Sequence, residues 1–142
     1  MKKTLGIAVI CLASMVMASE QLDNFISGVG PTNFVSSVSV IRSHTFAGHR
    51  SVKVVELPYV TKLPPAVFIN CRLLEKVSLP AVTNVDSLPG TFSGCPNLTH
   101  IDLSSIEFNA TTRSRFPWGV TNPRAIFIFR NGRYDINGNR VL

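Results

Sequence analysis

The chain has no apolar run of the roughly eighteen or more residues that a bilayer-spanning helix requires. Its longest, Leu5–Met17, is thirteen residues and is interrupted by Gly6 and Ser14. That run follows Met1-Lys2-Lys3 and ends at the small residue Ala18, with Val16 two positions earlier, so it reads as a secretory leader over 1–18. Cys11 lies inside the apolar run behind the bulky Ile10, the wrong place for a lipid-modified start. The expected mature chain begins near Ser19 and keeps 124 residues, enough for one domain with one modest core.

Adjacent basic residues are also missing beyond the leader. The formal charge of +6 falls to about +4 without Lys2 and Lys3, and Arg113, Arg115, Arg124, Arg130, Arg133 and Arg140 are scattered through the last third. Spaced in this way they read as a solvated surface with some attraction for acidic polymers or glycans, and no nucleic-acid module is present. Catalytic and metal constellations are lacking as well. His44 and His49 are five apart without further ligands, so no metal site is expected. His100 and Asp102 share one side of a strand, but no nucleophile is placed to complete a triad, and neither an enzyme nor a cofactor is expected.

What the chain does have is a repeat. Phe46, Phe68 and Phe92 are 22 and then 24 residues apart, and each is followed at constant offsets by Val52, Leu74 or Leu98, then Val55, Val77 or Ile101, then Leu57, Leu79 or Leu103. The turn-forming Ser87-Leu88-Pro89-Gly90 accounts for the two extra residues. Weaker copies flank these three. Upstream, Val35 precedes Phe46 by eleven, as Leu57 precedes Phe68, and Val38 and Ile41 match Val60 and Leu63. Downstream, Ile126-Phe127-Ile128 is aligned with Ile101-Asp102-Leu103 at a spacing of 25.

A coil of this length cannot bury its own apolar side, so coils must stack. Side chains alternate along a strand, and in Val77-Ser78-Leu79 the apolar pair faces inward. Stacking then predicts the inward ladders Val55/Val77/Ile101/Ile126 and Leu57/Leu79/Leu103/Ile128, closed from the far side by the phenylalanines. The outward rows are Glu56, Ser78, Asp102 and Phe127, beside Val54, Lys76, His100 and Ala125. Prolines 58 and 80, just past the strand, end its ladder.

With phenylalanine, cysteine (Cys71, Cys95), leucine and Leu-Pro recurring together, the sequence resembles the BspA-like leucine-rich repeats, F-x-x-C-x-x-L-x-x-[VI]-x-L-P. The resemblance covers about 35–106 well and 107–130 poorly, and His49 and Ser104 depart from the pattern. It implies an α/β-type or mainly β solenoid, a right-handed stack of about five coils of 22–25 residues with a parallel sheet on one face. It also implies an exported or surface protein, periplasmic as a further location, that binds or adheres to protein or glycan ligands, host extracellular matrix among them.

The organisation expected is therefore a leader (1–18), an N-terminal segment (19–32) in which Gln21–Gly28 forms a short amphipathic helix, repeats (33–124), and a last rung with a β-hairpin (125–142) signalled by Asn131-Gly132 and covering the open end of the stack. Tyr134–Gly138 also resembles the first strand of some bacterial secretion tails, the remainder of which is absent. Cys71 and Cys95 fall on adjacent coils, close enough for a disulfide or for two buried thiols. Asn97-Leu98-Thr99 and Asn109-Ala110-Thr111 match the glycosylation pattern. Two recognition surfaces are open: the outward sheet face (Glu56, Lys76, Ser78, His100, Asp102, Phe127), and the segment 109–123, where Arg115 and Trp118 would form an exposed hot spot. A self-assembling envelope element without a separate ligand is the alternative to a binding module.

Overall fold

The computed structural model describes residues 9–10, 32–84 and 86–142, so the expected helix over 21–28 lies outside the described residues. One sheet contains, in chain order, β1 (Val9–Ile10), β2 (Asn33–Ser36), β3 (Val54–Glu56), β4 (Lys76–Ser78), β5 (His100–Leu103), β6 (Ile126–Phe129), β7 (Gly132–Tyr134) and β8 (Arg140–Val141). Strands β1 to β6 run parallel, and β7 and β8 turn back antiparallel. The rungs β2 to β6 bound four turns of a solenoid with little helix.

The strands are short because each coil gives the sheet only the residues that alternate cleanly. In Lys76-Val77-Ser78 only Val77 is buried. Register makes Val77 the neighbour of Val55 on one side and Ile101 on the other. Leu57, Leu79 and Leu103 form the next ladder, all buried, with the amides of Leu57 and Leu79 donating to the Ser78 and Asp102 carbonyls. A leucine or valine removed from water in this way contributes about 1.5–3 kcal/mol, so a few rungs carry the stability of the domain.

The far side of the coil is held as firmly. Phe46, Phe68 and Phe92 stack with ring centroids 5.3 and 5.8 Å apart and planes within 9°. Their backbones are bridged as well: the Phe46 amide donates to Val67, Gly48 to Ile69 and Asn70 to Ser93. The Cys71 thiol donates to the Phe46 carbonyl at 2.8 Å and that of Cys95 to the Phe68 carbonyl at 2.9 Å. This explains the cysteine of the repeat, since it is small enough for a site with no exposure and still satisfies a buried carbonyl. Both are free thiols, and contact with Cys71 together with burial pushes the Cys95 thiol well above its ordinary range. At the corresponding place His49 is buried, and its Nδ1 accepts from the amides of Ser51 and Val52.

Each turn around a phenylalanine needs left-handed backbone two residues before and two after it: His44, Ala66 and Gly90, then Gly48, Asn70 and Gly94. At Gly94 (φ +75°) a Cβ would also fall 2.2 Å from Asn70 Oδ1 and 3.0 Å from its Cα. Glycine is required there for both conformation and space.

The ends differ from the expected register by one residue. In β2, Val35, aligned by spacing with Leu57, stands level with Glu56 and is half-exposed, while Phe34 pairs with Val55 and is buried. In β6, Ile101 is level with Phe127, not Ile126, and Leu103 with Phe129, not Ile128. Phe127 is therefore fully buried, as is Ala125, and neither belongs to the outward face. Five apolar residues in succession, Ala125 to Phe129, carry no alternation to read, and a one-residue slip reverses every side chain. The rings win the inward positions because they meet other rings: Phe127 lies 4.5 Å from Phe116 and 5.8 Å from Trp118.

Trp118 is the second correction. The segment 109–123 opens with α1 (Ala110–Arg113), where the Asn109 side chain accepts from the amides of Thr111 and Thr112, and Thr112 reciprocates on the Asn109 amide. It then carries Trp118 inward, 1 % exposed, against Phe116, Phe127 and Phe129. The Phe92 amide donates to the Trp118 carbonyl, so this segment continues the stack. Beyond β6 the hairpin turns through Arg130 and Asn131, with Gly132 already in β7, one residue earlier than its Asn-Gly signal suggests. Asn131 fastens the turn by bonding both the amide and the carbonyl of Phe108.

Three substitutions test these assignments. Gly94→Ala is expected to lower stability by about 1–3 kcal/mol. Trp118→Ala should lower it by about 3–5 kcal/mol, while the exposed neighbour Arg115→Ala changes it by less than about 1 kcal/mol. Urea unfolding followed by circular dichroism measures all three, and equal effects at 115 and 118 would refute the buried placement of the indole.

Candidate interaction surface

The same register that buries the ladders fixes the outward rows. One row runs Asn33, Val54, Lys76, His100 and Ile126; the other runs Val35, Glu56, Ser78, Asp102 and Ile128, continued by Arg133 in β7. Neighbours along a row lie about 4.8 Å apart, the spacing of paired strands. The centre of the face is polar, with Glu56, Lys76 and His100 exposed and Ser78 and Asp102 half-buried. Its C-terminal margin is apolar, where half-buried Ile126 and Ile128 stand in the places assigned by spacing to Ala125 and Phe127.

These side chains are positioned without being neutralised. Asp102 accepts from the Ser104 amide at 3.0 Å and from the Ser78 hydroxyl at 3.4 Å. His100 Nδ1 lies 2.9 Å from Thr99 Oγ1, which also lies 3.1 Å from the Glu75 carbonyl, so the ring is tethered through Nδ1 and Nε2 stays outside this pair of contacts. The ring is thus oriented by Thr99 and not by Asp102. Among the described residues Glu56 and Lys76 form no ion pair, whereas Lys53 and Glu75, just before the strands, meet at 3.3 Å. The face presents a cation, an imidazole and two carboxylates on a rigid frame, an arrangement suited to charge-complementary contacts.

Of the sequence-derived candidates, Glu56, Lys76, Ser78, His100 and Asp102 come together on this face. Phe127 and Trp118 lie in the core, and Arg115 is exposed elsewhere, 3.4 Å from Asp86. The contribution of Ile126 and Ile128 was hidden by the growing repeat, since the residues level with one another in β3 to β6, Val55, Val77, Ile101 and Phe127, are 22, 24 and 26 apart. Thr99 could have been suspected only from its place beside His100. No group of three or more His, Cys, Asp or Glu residues able to hold a metal occurs among the described residues. The two glycosylation-pattern asparagines have structural bonds: Asn97 donates to the Arg72 carbonyl at 2.7 Å, and Asn109 caps α1.

Comparison with known proteins agrees with this geometry. The family model for the BspA type leucine rich repeat region matches residues 29–116 in six copies. Neither a curated protein nor a solved structure matches the chain. Repeat solenoids of this kind generally act in protein–protein interaction or adhesion, are often surface or secreted proteins, and are typically not enzymes. No helix among the described residues is long and apolar enough to cross a membrane. With the match covering more than half of its length and the stacked Phe, Cys, Leu and Leu-Pro positions in place, the chain belongs to the BspA-type leucine-rich repeat family.

Proposed function

We propose that this chain is an exported or cell-surface adhesion module that binds a protein of the host or its extracellular matrix across the outward face of the parallel sheet. The observation that carries the reading is that Glu56, Lys76 and His100 lie together on one rigid sheet face, exposed and, among the described residues, in no ion pair. The ladder behind them makes recognition separable from folding, because outward side chains can change while Val55, Val77 and Ile101 remain buried. The half-buried Ile126 and Ile128 beside them supply an apolar anchor next to the charges, the usual composition of a protein contact.

Export follows from the leader over 1–18, with cleavage before Ser19. The pairing of Val9 and Ile10 with Val35 and Ser36 then belongs to the uncut chain, and cleavage releases the β2 edge from that partner. The experiment uses exported protein, whose N-terminus is expected at Ser19 by protein sequencing, on an array of purified extracellular-matrix proteins. Lys76→Ala/His100→Ala/Asp102→Ala should keep the melting temperature within a few degrees and lose at least tenfold in affinity for the bound component. Full retention of every captured component by the folded variant would exclude this face.

A further inference from the structure

We propose that the C-terminal ribbon is a second binding surface, adjoining the sheet face at Arg133, and that it takes an anionic polysaccharide. After residue 106 the chain carries six arginines and no lysine against two acids, Glu107 and Asp135, whereas every lysine lies at or before position 76. All six arginines are exposed. Arg115 is paired with Asp86, and Arg130 donates to the Ser105 carbonyl. The side chains of Arg113, Arg124, Arg133 and Arg140 enter no ion pair or hydrogen bond with the described residues. Asp135, the one acid on the ribbon, is bonded locally instead of to an arginine: its carboxylate accepts from the amides of Asn139 and Asn137 and from the Asn139 side chain, bonds that hold its pKa below the usual carboxylate range and keep it ionised.

The fold gathers what the sequence scatters. Register places Arg140 opposite Tyr134, and Arg133 between Ile128 and Val141, so the two arginines project from opposite faces of one narrow ribbon. On the Arg140 side, half-buried Tyr134 lies 4.3 Å from Phe108, and the Arg113 guanidinium stands 6.0 Å from the Phe108 ring centroid. Arg113 and Arg140 thus flank an aromatic pair, and Arg130 occupies the turn that leads to Arg133. A guanidinium meets a sulfate or carboxylate through two parallel N–H donors, and the uncovered part of the half-buried tyrosine offers a sugar an apolar contact. Because the cations surround the ribbon instead of sharing one plane, they match a flexible linear polyanion better than a flat anionic membrane.

The test measures binding of the full chain to heparin, as a sulfated polysaccharide probe, and to phosphatidylserine vesicles, across a series of salt concentrations. Heparin binding that weakens steeply with salt is expected. The variant Arg113→Gln/Arg133→Gln/Arg140→Gln should lose at least tenfold in affinity with an unchanged melting temperature. A control that removes the same charge from the other end, Arg42→Gln/Lys62→Gln/Arg72→Gln, should lose less than threefold. Should the first triple variant melt early, the single variants Arg133→Gln and Arg140→Gln, one on each face, should each lose about threefold. Equal losses in the two triple variants would overturn the proposal in favour of net charge alone. Tighter binding to vesicles than to heparin would overturn it in favour of a membrane, and no heparin binding at low salt would overturn it outright.

Discussion

The constraint on which everything else depends is that each coil completes its neighbour. No single coil has two sides to its core, so Val77 is covered only because Val55 and Ile101 stand level with it, and Phe68 because Phe46 and Phe92 stack on its two faces. The polar groups obey the same rule. Backbone amides on both sides of the coil find carbonyls one coil away, and the Cys71 and Cys95 thiols reach back to the phenylalanine carbonyl before them. An error in register would therefore forfeit apolar burial and leave buried carbonyls unpaired at once, and the second penalty is about 1–3 kcal/mol for each group.

Stacking also decides where recognition can occur. A ladder that fixes inward residues fixes outward ones equally, and Lys76, His100, Glu56 and Asp102 inherit rigid spacing from residues that never touch a ligand. Toward the C-terminus the coil gives way to an aromatic cluster of Phe108, Phe116, Trp118, Phe127 and Phe129, over which Tyr134 and the arginine-bearing ribbon lie. The sheet face and the ribbon thus draw on one core while presenting opposite chemistry: mixed charge in the first, cations and an aromatic edge in the second.

The central coils were legible in the sequence because three signals coincide in each, namely the phenylalanine, the valine or leucine six residues on and the alternating strand. Where alternation was lost, reading failed. In Ala125–Phe129 every residue is apolar, so spacing alone chose between two registers and chose Ile126 and Ile128 over Phe127 and Phe129. Trp118 misled for a related reason. A tryptophan among arginines and prolines has the composition of an exposed hot spot, and only the aromatic partners supplied by distant segments draw it inside. The outward polar residues of the central rungs were recoverable because they depend on alternation, whereas the orientation of the His100 ring depends on a Thr99 contact that no periodicity encodes.

The most direct test of the stacking account is a polar scan of the one rung whose register the sequence left ambiguous. Ile126→Asn, Phe127→Asn, Ile128→Asn and Phe129→Asn are compared by urea unfolding. The account requires alternation: losses of several kcal/mol or complete unfolding at 127 and 129, and losses of about 1 kcal/mol or less at 126 and 128. The reverse pattern, or equal losses at all four positions, would contradict the ladder that joins Val55, Val77 and Ile101 to Phe127.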